Sequence, residues 1–174
     1  MSTRFWISVG LLASATLLNA QSTPTASRIG DLQVGIGYGI AQPDYTTNTF
    51  RGIAAYSVFD FTPHFGVEFD FRLLNDSGSS NLYEKTYEIG GRYRRTYGRL
   101  TPYGKVMVGR GVFNFQHSIA NLAYNMGALG AGVDYRIKPF LSVRGDFEYQ
   151  HWMGFPPHGL SPVVESVGVA YHFR

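Results

Sequence analysis

From residue 31 the chain alternates between apolar and small or polar positions. Leu32, Val34, Ile36, Tyr38 and Ile40 occupy every second place, with Gly35, Gly37 and Gly39 between them. A two-residue period is the mark of a strand with one apolar face. A phosphate-cradling glycine loop would need a helix after the glycines, and Pro43 follows instead. The same division recurs downstream. Phe65, Val67, Phe69, Phe71 and Leu73 alternate with Gly66, Glu68, Asp70 and Arg72. Tyr87, Ile89 and Tyr93 alternate with Glu88, Gly90, Arg92 and Arg94, and Leu129, Ala131, Val133 and Tyr135 with Ala128, Gly130, Gly132, Asp134 and Arg136. Leu141, Val143, Phe147 and Tyr149 alternate with Ser142, Arg144, Asp146 and Glu148. The pattern predicts eight strands, at about 31–41, 50–61, 65–74, 83–95, 102–113, 122–137, 140–150 and 162–173.

The connections are of two kinds. "DFTPHFGVEFDF", "RLTPYGKVMVG" and "RIKPFLSVRGDFEY" resemble one another, and each predicts a short turn, around Pro63, Pro102 and Pro139. Between them lie "AQPDYTTNT", "NDSGSSNL", "FNFQHSIAN" and "HWMGFPPHGLSP", rich in turn residues and longer than a minimal hairpin loop. Long loops therefore gather at one end, and short turns with both termini at the other. Trp152, Phe155, Pro156 and Pro157 are expected on the last long loop.

Two solvents could meet such a sheet. A soluble, lipocalin-like secreted carrier would turn the apolar face inward; a lipid-embedded barrel would turn it outward. An eight-stranded barrel has an interior just wide enough for side chains to fill. Bulky stripes from every strand would overpack it, whereas glycines with some long charged residues would fit. The runs also reach the roughly 9 to 11 residues that a tilted transmembrane strand needs. Aromatic residues collect near strand ends, at Phe59, Phe61, Phe65, Tyr83, Tyr93, Tyr103, Tyr135, Phe140, Tyr149, Tyr171 and Phe173, where interfacial girdles belong. In the less regular second and fifth strands, Asp60 and Lys105 are assigned inward, because charge facing lipid is costly. Ile53, Ala55, Phe59, Phe61, Val106 and Val108 then face out, with an awkward Ser57. The predicted fold is all-β, an eight-stranded antiparallel up-and-down transmembrane β-barrel.

Composition sharpens this picture. Charged residues make up 16% of 174, below the roughly one quarter usual for soluble domains. The net charge of +3 is scattered beside acids, which argues against nucleic acid as a partner. Cysteine is absent, so disulfides and thiolate metal sites are excluded. Residues 1–20 run from Arg4 through "FWISVGLLASATLL" to "NA", the order of a secretory signal peptide. Cleavage after Ala20 and cleavage after Ala15 both suit the small-residue rule in part. Residues 21–29 form a short linker, and 30–174 the barrel domain.

With "FTPHFGVEFDF", "TPYGKVMVG" and the final "VESVGVAYHFR" in place, residues 30 to 174 resemble the small eight-stranded outer-membrane barrels of Gram-negative bacteria, the group of the OmpA transmembrane domain, OmpX and the opacity-type adhesins. The resemblance implies residence in the cell outer membrane, with outer-membrane lipid as surroundings and barrel-assembly machinery and periplasmic chaperones as partners during biogenesis. Val167, Val169, Tyr171 and Phe173 look like the C-terminal strand that the machinery recognises, although Arg174 stands where the family usually ends on an aromatic residue. The peptidoglycan-binding domain of full-length OmpA proteins is not expected. Glu165 falls on the lipid-facing register.

The inward charges nearly balance: Asp60, Glu68, Asp70, Glu88, Asp134, Asp146 and Glu148 against Arg72, Arg92, Arg94, Lys105, Arg136 and Arg144. Buried charges must be paired, so they predict a salt-bridged plug; a narrow pore gated by changing ion pairs is the alternative that the OmpA resemblance keeps open. Glu68 with Asp70, or Asp146 with Glu148, could suggest glycosidase chemistry, but each pair shares its face with arginine. His64 and His172 are expected to be structural. His151 and His158 flank "WMGFPP" without a third ligand, and no metal or other cofactor is expected. Lipid-A modification would need a nucleophile and base near the outer rim; His117 and Ser118 are the candidates, without a recognisable motif. The reading is a non-catalytic barrel with a structural or surface-interaction role, meeting an extracellular ligand, if any, through its loops.

Overall fold

The computed structural model describes residues 30–44, 48–76, 78, 82–115, 120–154 and 159–173. It contains β1 (Asp31–Gln42), β2 (Phe50–Asp60), β3 (Phe65–Asp76), β4 (Tyr83–Arg94), β5 (Leu100–Phe115), β6 (Ala120–Lys138), β7 (Leu141–Trp152) and β8 (Val163–Phe173). Each strand pairs antiparallel with its sequence neighbour, and β8 closes on β1. The up-and-down barrel expected from the alternation is the observed fold.

Its stagger is read directly from the register. Starting at Leu32, the row passes through Phe59, Val67, Gly91, Val106, Leu129, Tyr149 and Val163 and returns to β1 at Gln42, ten residues farther on. A stagger of this kind accompanies closure with strands tilted by roughly 35–45°. Every side chain in that row is on the outer face, so the apolar coat winds continuously around the cylinder. Ile36, Phe69, Ile89, Val106, Leu129 and Val167 are among the large apolar residues left exposed. That arrangement excludes the soluble carrier, whose apolar face would point inward.

One connection departs from expectation. Pro102 is not in a turn: β5 begins at Leu100, and the hairpin closes where Tyr97 and Leu100 exchange backbone hydrogen bonds of 2.7 and 3.1 Å. Gly98 carries the positive φ of 63° that this tight turn demands. The expected turn at Pro63 is present, stitched by Thr62, whose Oγ1 accepts from the Phe65 amide at 2.8 Å.

The interior is layered in a way the alternation does not reveal. At the loop end lies an apolar cluster that includes Phe50, Leu74, Met107, Phe113, Met126, Trp152 and Leu160. Trp152, expected on a loop, ends β7 and is fully buried; its indole packs where a Cβ on Gly111 would stand. Its Nε1–H donates to Gln150 Oε1 at 2.9 Å. Phe155, Pro156 and Pro157 lie outside the described residues. Below this cluster the lumen is mainly polar, with a small second apolar cluster of Tyr56, Val58 and Ala170.

Candidate functional site

The polar lumen is the densest concentration of ionisable side chains among the described residues. Glycine at alternate inward positions makes room for it. A Cβ on Gly35 would run into the Tyr56 ring, and one on Gly132 into the Tyr103 ring. These two tyrosines are the platforms on which the arginines rest. Arg144 stacks 4.0 Å from the Tyr56 centroid and Arg92 4.0 Å from that of Tyr103. Tyr103, expected in the interfacial girdle, is instead buried in the lumen. The reason is parity: on β5 it shares the inward register with Lys105 and Met107. Its hydroxyl donates to Asp146 Oδ2 at 2.6 Å.

Around these rings the charges interlock across opposite walls of the barrel. Lys105 Nζ reaches Glu68 at 3.1 Å, Asp70 at 2.7 Å, Asp146 at 3.0 Å and Glu148 at 3.1 Å. Arg72 contacts Asp70 at 3.1 Å, Asp146 at 3.6 Å and Glu148 at 3.0 Å, and also Glu88. A second group joins Arg92 to Glu68 at 3.1 Å and Asp134 at 2.5 Å, and Arg144 to Glu68 at 3.0 Å and Asp134 at 2.8 Å. Glu68 connects the two. Closer to the turns, Arg94 holds Asp60 at 3.0 Å, and Gln33 donates to Asp60 at 3.0 Å. Arg136 is half-buried at the same mouth, with no carboxylate within 4 Å among the described residues. Two voids between these side chains are about 10 Å³ each, room for roughly one water apiece.

Sequence reasoning missed a relay at the turn end. His172 Nδ1 lies 3.1 Å from Asp31 Oδ2, and its Nε2 lies 3.0 Å from Ser142 Oγ. The neutral imidazole with its proton on Nδ1 satisfies both contacts, donating to the carboxylate and accepting from the hydroxyl. The order Asp, His, Ser is that of an activated nucleophile. Ser142 is nevertheless 1% exposed and faces one of the 10 Å³ voids, which admits no acyl substrate. What the relay does visibly is join β1, β8 and β7 across the line where the barrel closes. Only residues far apart in sequence build it, so no local motif signals it. His117, Ser118 and His158 lie outside the described residues. No group of three or more His, Asp or Glu among the described residues is arranged to hold a metal ion.

An apolar outer band, a closed sheet and an ion-paired interior define a transmembrane β-barrel of the outer-membrane kind. The chain belongs to the outer membrane protein beta-barrel domain family, whose sequence model matches residues 10–173. Comparison with characterised proteins finds no significant sequence match. Among solved structures it is similar to Ail of Yersinia pestis, crystallised with the heparin analogue sucrose octasulfate (19% identity, TM-score 0.60, covering 84% of this chain and 100% of Ail). It is also similar to Neisserial surface protein A (10%, TM-score 0.69, 84% and 98%) and to OprG of Pseudomonas aeruginosa (14%, TM-score 0.67, 84% and 97%). At these identities the likeness is one of fold. The protein is thus an outer-membrane β-barrel, surrounded by lipid.

Proposed function

We propose that this barrel is a closed, non-catalytic membrane scaffold whose interior is a salt-bridged plug and whose contacts with the outside are made by its loops. The observation that carries the reading is the cross-braced lumen. Lys105 and Arg72 each touch four carboxylates contributed by other strands or by their own, and two voids among these side chains hold about 10 Å³ each. Such a core stiffens the cylinder and leaves no continuous water path. In this reading residues 1–20 are a cleaved signal peptide, 21–29 a linker and 30–174 the barrel. Val167, Val169, Tyr171 and Phe173, exposed on β8, serve as the strand read by the assembly machinery after chaperone-assisted transit of the periplasm. The Ail complex with a sulfated sugar analogue supports looking for an extracellular ligand at the loop end.

The test combines three measurements on the exported protein. Membrane fractionation should leave it in the outer-membrane pellet, and unheated samples should migrate differently from boiled ones. In planar bilayers the purified barrel should give no steady conductance. A conductance that changes with Lys105→Met or Arg72→Met would replace the plug with a gated pore.

A further inference from the structure

The outer coat has one feature that a purely lipid-facing surface does not need. Glu165 lies exposed on the outward face of β8, paired across the sheet with Phe147 on β7 and Ile40 on β1. Phe173, in the aromatic band at the turn end, is eight residues farther along the same strand. At about 3.3 Å per residue and a tilt near 40°, Glu165 stands roughly 20 Å above it. The apolar band of such barrels is about 25 Å tall, so the carboxylate sits inside it, toward the outer leaflet. No cation lies within 4 Å of it among the described residues. An ionisable group at membrane depth marks a functional site by default.

Glu165 also closes the upper end of a groove of about 630 Å³ on the outer face, bounded by Tyr38, Val133, Phe147 and Val167. The floor is Gly145, where an added Cβ would meet nothing within 4 Å. The groove therefore exists because β7 drops its side chain midway between Val143 and Phe147. Its walls are apolar and it lies at the depth of acyl chains. On the far side of Ile40, Arg51 occupies the next place in the same register row and is exposed. Each step along that row climbs about 3 Å for strands about 4.8 Å apart at this tilt. Arg51 thus stands roughly 6 Å above Glu165, at the boundary with the head groups.

We infer that the outer face of β7, β8, β1 and β2 binds one phosphorylated glycolipid of the outer leaflet. An acyl chain fills the Gly145 groove, a hydroxyl or amide N–H at the root of that chain donates to Glu165, and Arg51 holds a phosphate. The inference rests on the membrane orientation given above. A second copy of the chain fits less well, because a two-fold contact through this groove would bring two Glu165 carboxylates together.

The test is native mass spectrometry of the full barrel extracted from outer membranes in mild detergent, counting glycolipid retained per chain. Wild type should keep one. Gly145→Leu, which fills the groove, and Glu165→Leu, which removes the acceptor, should each lower retention about tenfold, the scale of one lost hydrogen bond to a charged group. Glu165→Gln keeps a carbonyl acceptor and should fall between. Arg51→Gln should weaken retention of phosphorylated lipid and leave dephosphorylated lipid unchanged. Gly91→Leu, another open outward position on the opposite wall, should behave as wild type. Equal retention in all variants would overturn the site. So would loss of a cross-linked dimer in Gly145→Leu without any change in lipid, which would make a second copy the occupant. Heat-dependent mobility is recorded for every variant; its absence in wild type would instead sink the barrel orientation itself.

Discussion

Replacing Lys105 with methionine isolates what the lumen contributes to stability. Among the described residues, the buried acids Asp60, Glu68, Asp70, Glu84, Glu88, Asp134, Asp146 and Glu148 outnumber the buried cations Arg72, Arg92, Lys105 and Arg144. Cations are therefore the scarce partner. Lys105 is shared by four carboxylates within 3.1 Å, and methionine fills its volume without its charge. Breaking a buried pair from one side costs about 3–5 kcal/mol, a large fraction of the roughly 5–15 kcal/mol that holds a domain folded. With a urea dependence of about 2 kcal/mol per molar, the unfolding midpoint should fall by about 2 M. Glu88→Gln supplies the contrast. One Glu88 carboxylate oxygen has no hydrogen-bond partner among the described residues, the amide carbonyl of Gln can still accept from Arg72 and Gln150, and Arg72 would keep Asp70, Asp146 and Glu148, so its cost should stay below about 1 kcal/mol. The assay is urea titration of barrels in lipid vesicles, read by the folded band on unheated gels. A midpoint for Lys105→Met within about 0.5 M of wild type, or a Glu88→Gln variant that loses as much, would refute the claim that unscreened buried charge governs this core.

Glycine placement gives a second prediction. Gly35→Val should destabilise by about 1–3 kcal/mol through overpacking against Tyr56, while Gly91→Val, facing lipid with open space around it, should be neutral or better in the same titration. His172→Leu should cost about 1–3 kcal/mol, because Asp31 and Ser142 lose their shared partner. If the relay is structural, a serine-directed fluorophosphonate should leave Ser142 unlabelled in the folded wild-type barrel; stoichiometric labelling would reopen catalysis. Trp152 should emit as a buried indole and resist acrylamide quenching, and Gln150→Leu, which removes its acceptor at 2.9 Å, should alter that emission without releasing the ring to solvent.

The number and order of strands and the direction of the apolar face were legible in the sequence, because each depends only on a two-residue period; Glu84, buried on β4, was not among the charges assigned inward. Once Lys105 is placed inward, parity along β5 also fixes Tyr103, although its type alone suggests a girdle. Pairing is another matter. That Arg72 of β3 meets Glu148 of β7, or that Lys105 of β5 meets Asp70 of β3, depends on the ten-residue stagger, which no single strand encodes. The apolar cluster under the loops and the full burial of Trp152 depend on β7 continuing to Trp152 and on residues that β5 and β6 bring against it. The relay of Asp31, His172 and Ser142 arises only when the first and last strands meet. Local alternation determined which residues face which solvent; closure of the sheet decided which of them touch, because closure alone brings residues distant along the chain to the same height in the barrel.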